Sequence, residues 1–309
     1  MNLDSSSQKV LLEHRQIFET LIKLYKKNCF PNKILLSGEK GIGKSTLAYH
    51  LINFVLSENE EHGYDYQNCK INPNNKSYKL IQNKSNPNFY LIDVVDDKNS
   101  IDINQIRELI INLNKSSFNN IPRFVLIDNI ELFNINSINA FLKILEEPNK
   151  NINFILINNN RRVLPTLKSR CLNFKVFLTK DQSISIVNQL LKDDINNIIN
   201  NKLLDNYITP GKSIYLIKLF ENYNLDLVNF DLNATLKTLI RDKIYKKDKS
   251  IIQIIYSFIE LYFRNNISIE NINLLKSYHY FLKKINNTKI YNLDEEILFM
   301  EFEDKILNG

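Results

Sequence analysis

Apolar residues run through this chain in two rhythms. Up to about residue 178, short apolar runs alternate with stretches of helical spacing; beyond it only helical spacing remains. Val10, Leu11, Ile17, Leu21, Ile22 and Leu24 predict a helix within residues 10–28, closed by the basic pair Lys26-Lys27. Ile34-Leu35-Leu36-Ser37 predicts a strand ended by a glycine-rich turn, and residues 46–56 return to the 3.6-residue period. Three further strands are predicted at residues 89–92, 123–128 and 153–157, with helices over 103–113 and 138–145, the second stopped at Pro148. Residues 57–86 are polar, with Gly63 and Pro73 and many Asn and Lys, and read as a surface excursion with little core of its own. Strands alternating with helices predict a parallel sheet covered on both faces, so the first half is α/β.

Beyond residue 178 helices are predicted over 183–191, 214–220, 236–244, 251–263 and 272–282, with Pro210-Gly211 as punctuation among them and no further strand. A length of 309 residues calls for more than one core. The expected division is 1–178, 179–221 and 222–309.

Composition adds limits. With 44% apolar and 24% charged residues, the chain has the make-up of a soluble globular protein. It has no uninterrupted apolar run of membrane-spanning length and a polar first stretch, so a cytoplasmic protein without a membrane partner is expected. Cys29, Cys69 and Cys171 are odd in number and far apart, which suits neither a disulfide framework nor zinc, and they are read as free thiols. The net charge of +6 is spread along the chain and permits nucleic-acid contact without indicating it.

Candidate chemistry is concentrated in Gly38-Glu39-Lys40-Gly41-Ile42-Gly43-Lys44-Ser45, which fits G-x-x-x-x-G-K-[ST] between a predicted strand and a predicted helix. Glycines let successive N–H groups turn inward onto phosphate oxygens, and the helix start adds its positive dipole end. Lys44 is the expected partner of the β- and γ-phosphates, Ser45 of Mg²⁺, and Thr46 lies beside them in the first helical turn. ATP or ADP with Mg²⁺ is therefore the expected ligand. Asp128, at the end of an apolar strand, is the expected second group at the metal. Many ATPases of this class place Glu directly after that Asp to activate water. Here the next residue is Asn129, which can orient a water but cannot take its proton. Glu131 is the other carboxylate nearby, expected to point elsewhere from a turn.

Asn139-Ala140-Phe141-Leu142-Lys143 and Leu145-Glu146-Glu147-Pro148 resemble the signature that follows the Walker B strand in bacterial clamp-loader subunits of DNA polymerase III. Leu164-Pro165-Thr166-Leu167-Lys168-Ser169-Arg170-Cys171 is similar to their Ser-Arg-Cys segment. The resemblance covers residues 10–178 strongly and the helical remainder weakly. It implies a RecA-like AAA+ parallel-sheet domain over 1–178, a small helical lid over 179–221 and an all-α collar over 222–309 that packs the subunits into a ring.

It also implies that Arg170 is a finger reaching the ATP of an adjacent subunit, a task suited to a planar, permanently charged fork. Asn158 or Asn159 falls at the family's first sensor, and Lys212, within Pro210-Gly211-Lys212-Ser213, at its second. Asn129 and the lack of a four-cysteine module bring the chain closer to the delta-prime branch than to the gamma/tau motors. The implied partners are gamma/tau and delta subunits, with the sliding clamp and primer-template DNA reached through the complex. Weak or absent ATPase activity, and no polymerase site of its own, are expected. A gamma/tau-like motor is the alternative; an unrelated P-loop kinase would leave the Ser-Arg-Cys segment and the helical tail unexplained. The aromatic residues Tyr256, Phe258, Tyr262, Phe263, Tyr278, Tyr280 and Phe281 are read as mostly core, and Lys243, Lys246, Lys247 and Lys249 as a solvated face.

Overall fold

A computed structural model describes residues 4–95, 100–115, 121–146, 151–161, 163–200, 209–225, 227–229, 231–248, 250–267, 272–291 and 293–308. The expected stop at Pro148 lies outside them. The chain divides into two compact units, one formed by residues 1–193 and 208–215, the other by 194–207 and 216–309.

The first unit is built on five parallel strands, β1 (Lys33–Ser37), β2 (Phe89–Ile92), β3 (Arg123–Ile127), β4 (Ile152–Asn158) and β5 (Leu172–Lys175), in the order β2-β3-β4-β1-β5. β4 is buried throughout, and β1 and β3 are buried except at strand ends, because both faces are covered. Alternate residues serve opposite faces. Ile34, Leu36, Phe124, Leu126, Ile155 and Ile157 pack with α1 (Arg15–Lys26) and α2 (Lys44–Leu56). Leu35, Val125, Ile127, Phe154 and Leu156 pack with α4 (Ile103–Leu113) and α5 (Ile135–Glu146). The α/β reading therefore holds, with each predicted strand and helix of this unit present.

Two elements differ from the sequence reading. β5 was not foreseen: its four residues form an edge strand with Leu172 exposed, so no alternation marks it. Residues 57–86 are more than a surface excursion. They contain α3 (Lys76–Gln82), bury Cys69, Ile71 and Ile81, and bring the Tyr64 ring to 5.4 Å from Phe18 and 5.9 Å from Phe54. The segment lends scattered side chains to the main core, which leaves no periodic trace. His50, fully buried in α2, ties this region down. Its Nε2–H donates to the Gln8 carbonyl at 3.1 Å, and its Nδ1 accepts from the Tyr64 hydroxyl at 2.7 Å.

The second unit is helical throughout its described residues, with helices Leu232–Arg241, Ile244–Lys247, Ser250–Asn266, Ile272–Tyr291 and Glu295–Phe302. Phe263, Phe281 and Phe302 meet edge to face or tilted at centroid distances of 5.2–6.0 Å and are buried. Tyr256 and Phe258 are buried as well, whereas Tyr280 is exposed. Lys243 and Lys246 both pair with Glu296, which holds that carboxyl down at about 2. Lys249 lies outside the described residues. No described helix is long and apolar enough to cross a membrane.

Candidate nucleotide site

The site lies along the carboxyl edge of the parallel sheet, where open α/β sheets place their ligands. Gly38 leaves β1 so close to β5 that a Cβ there would stand 2.2 Å from the Val176 carbonyl oxygen. Gly41 and Gly43 hold left-handed φ values of 88° and 91°, which a side chain would oppose. The loop then enters α2 directly at Lys44 with no side-chain cap, leaving the N–H groups of its first turn, Ser45 and Thr46 included, for an anion.

Lys44 is 3% exposed and its Nζ donates to the carbonyls of Gly38, at 3.0 Å, and Glu39. Burial lowers its pKa to about 8, opposed by the charges of Asp128, Glu131 and Glu39. It thus remains largely cationic at neutral pH. Ser45 Oγ donates to Asp128 Oδ2 at 2.6 Å, joining the end of β3 to the start of α2. Burial raises the Asp128 pKa, and the charge of Asp93 pushes the same way against the Ser45 hydrogen bond. A hydroxyl beside a carboxylate is an oxygen donor pair suited to Mg²⁺, and the inward-turning loop with Lys44 suits a polyphosphate, so the residues present fit both groups.

Beyond Asp128 the arrangement changes. Asn129 takes a left-handed φ of 56° and its backbone N–H donates to Asp128 Oδ1 at 2.8 Å. Its side-chain Nδ2 donates to Asp93 Oδ1 at 2.7 Å, and its Oδ1 accepts from Asn159 Nδ2 at 2.7 Å. The Asn159 backbone N–H in turn donates to Glu131 Oε2 at 3.2 Å. Both ends of the Asn129 amide are therefore occupied, and Glu131 faces this network. Asn158 turns away: its amide donates to the Arg161 carbonyl at 3.1 Å and accepts from the Arg161 N–H at 3.3 Å, closing a turn.

Arg170 is exposed, donating to Glu146 Oε1 at 2.6 Å and to the Thr166 carbonyl at 2.7 Å. Burial lifts the neighbouring Cys171 thiol to about 11, which suits packing better than reactivity. Lys212 is exposed. It follows Pro210-Gly211, which opens the helix Pro210–Asn222 and does not interrupt one, since proline is tolerated in a first turn. Sequence reasoning missed Asp93, although its run Phe89-Tyr90-Leu91-Ile92-Asp93 repeats the pattern of an apolar strand ending in Asp that drew attention to Asp128. It also missed His14 and Thr209, which touch the phosphate loop and carry no motif.

Residues 13–180 match the family described as DNA polymerase III, delta subunit. A DNA polymerase III subunit delta' from Buchnera aphidicola subsp. Schizaphis graminum is 23% identical over 281 residues, covering 87% of this chain and 83% of that protein. One from Pseudomonas aeruginosa is 30% identical over 138 residues, covering 44% of this chain and 40% of that protein. A DNA polymerase III subunit gamma from the same Buchnera is 28% identical, covering 66% and 55% respectively. Among solved structures, a DNA polymerase III gamma subunit-related protein from Thermotoga maritima aligns with a TM-score of 0.49 and 20% identity, covering 92% of this chain and 96% of that one. Given a match that spans more than half of its residues and similarity to a subunit delta' over most of both chains, the chain belongs to the DNA polymerase III delta-subunit family, on its delta-prime side.

Proposed function

We propose that the chain is a delta-prime-like subunit of the clamp loader of DNA polymerase III. It would assemble with gamma/tau and delta subunits to load the sliding clamp on primer-template DNA, binding ATP or ADP with Mg²⁺ and hydrolysing it weakly or not at all. The observation that carries the second half is the occupied amide of Asn129 beside Asp128, in a position where a base is needed. Gly38, Gly41, Gly43, Lys44, Ser45 and Thr46 would hold the phosphates, with Ser45 and Asp128 at the metal. The bound metal would supply charge neutralisation at the phosphates. Asn159, which faces Asn129 and Glu131, suits the first sensor better than Asn158, whose amide closes a turn with Arg161 away from them. Lys212 would serve as the second.

In the assembled complex Arg170 would exchange Glu146 for a neighbour's γ-phosphate. We read residues 1–178 as the nucleotide-binding domain, 179–221 as a lid and 222–309 as the collar. Exposed Ile290, Tyr291, Ile297 and Met300 support an assembly role for the last segment. A cytoplasmic location accords with this reading.

Steady-state ATPase assays on the isolated chain test the claim. Turnover of about 1 s⁻¹ or faster, abolished by Lys44→Ala, would overturn it. The alternative, a gamma/tau-like motor, draws on Glu131, whose charge is felt at Lys44 and whose carboxylate joins the Asn129 network. Loss of such turnover in Glu131→Gln would favour that alternative. In the reconstituted complex Arg170→Ala should lower ATPase with assembly intact, and unchanged activity would remove Arg170 from the mechanism.

A further inference from the structure

Three consecutive peptide groups of the phosphate loop are gripped from outside. The Lys40 carbonyl accepts from Thr209 Oγ1 at 2.7 Å, the Gly41 carbonyl from the Gly211 N–H at 2.9 Å, and the Ile42 carbonyl from His14 Nε2 at 2.6 Å. A carbonyl only accepts, so the His14 proton resides on Nε2. In a planar trans peptide the C=O of one residue and the N–H of the next point in opposite directions. Holding the carbonyls of Lys40, Gly41 and Ile42 outward therefore aims the N–H groups of Gly41, Ile42 and Gly43 inward. None of these three N–H groups donates to another described residue.

The surroundings are built for this contact. A Cβ on Gly41 would stand 2.7 Å from Thr209 Oγ1, and one on Gly211 would stand 2.8 Å from Gly41 Cα, so the two segments touch backbone to backbone. Thr209 is fully buried. His14 adopts a left-handed φ of 68° before α1, and its ring lies 3.7 Å from where a Gly43 Cβ would be. Burial keeps this imidazole below its usual pKa, in the neutral form that can direct Nε2–H at Ile42.

We propose that His14 and Thr209, together with the Gly211 N–H, are positioning residues for nucleotide binding, an outer clasp that presets the three inward donors of the phosphate loop. The inference rests on the nucleotide reading of the site. A loop so held meets the phosphates without first losing the freedom of three peptide planes, and preorganisation of this kind is worth affinity. The residues that make the clasp come from segments far from the loop in sequence, before α1 and at the start of the helix Pro210–Asn222.

Titration of the full chain with fluorescent ADP and Mg²⁺ tests it through paired variants. Thr209→Val keeps the shape and removes the donor, whereas Thr209→Ser keeps the hydroxyl. His14→Leu removes the donor, whereas His14→Gln retains an N–H at the Nε2 position with the same left-handed backbone. Thr209→Val and His14→Leu should each weaken binding about five- to ten-fold, a single hydrogen bond's worth. Thr209→Ser and His14→Gln should stay within about two-fold of the parent. Equal affinities within each pair would overturn the clasp while leaving the nucleotide site standing. Failure of the parent chain to bind ADP or ATP would overturn the nucleotide reading, and the clasp with it. The His14 pair, at a site only partly buried, keeps the test open if Thr209→Val fails to fold.

Discussion

The two ends of the candidate site, one at the phosphate loop and the other at Asn129, lie along the same sheet edge and are furnished in opposite ways. At the loop stand groups that attract an anion: backbone N–H groups with no partner among the described residues, a helix start and a buried Lys44 still largely charged at neutral pH. At the other end, the amides of Asn129 and Asn159 are hydrogen-bonded to each other and flanked by Asp93 and Glu131. One end is drawn from β1 and α2, the other from the ends of β2, β3 and β4. Because different elements supply the two ends, the proposed reading allows nucleotide gripping to be retained while water activation lapses.

The contrast can be broken most directly at Lys44. Lys44→Ala should weaken ADP and ATP binding by roughly 100- to 1,000-fold in a fluorescence titration, through loss of a charge-assisted contact. Affinity within ten-fold of the parent would mean that the loop is not the gripping end.

Next comes the anchorage of α2, which carries the loop. His50 is held at about 4 in the folded chain, against 6.5 when exposed, chiefly by burial, with the Gln8 carbonyl opposing. Below pH 6.5 the unfolded chain binds the extra proton and the folded one does not, so the stability from the neutral ring is complete above that pH and falls as pH drops, levelling off near 4. Urea unfolding should register a loss of about 3 kcal/mol over this window, absent in a His50→Gln variant. A parallel decline in both proteins would assign the effect to other groups.

At the water end, Asn129→Glu alone would set a second carboxylate against Asp93 and gain little. The double variant Asp93→Asn/Asn129→Glu restores an acid–amide pair with the acid beside Asp128, and should raise ATP turnover roughly 100-fold over the parent. Equal turnover by the single and double variants would show that Asp93 does not govern position 129. The smallest expected effect separates the paired asparagines. Asn158→Ala should cost about 1 kcal/mol in urea unfolding by opening the turn to Arg161, and Asn159→Ala less.

Much of the fold was legible because it is written locally. Strands buried on both faces read as continuous apolar runs, as at Phe124-Val125-Leu126-Ile127, and amphipathic helices such as α4 keep their period. β5 escaped notice because four residues at an exposed edge need no pattern, and the 57–86 segment because its buried side chains are isolated from one another in sequence. Pro210-Gly211 looked like a break and proved to be a start, since the same residues serve both.

The sequence by itself determined the phosphate loop, Asp128 and the amide at 129, because each is a contiguous motif whose chemistry follows from residue type and spacing. Only the tertiary structure decided what holds them: Asp93 against Asn129, Asn159 against Asn129, and His14 and Thr209 against the loop. Those bonds depend on the strand order β2-β3-β4-β1-β5 and on where distant segments dock, and no local period along a chain fixes either.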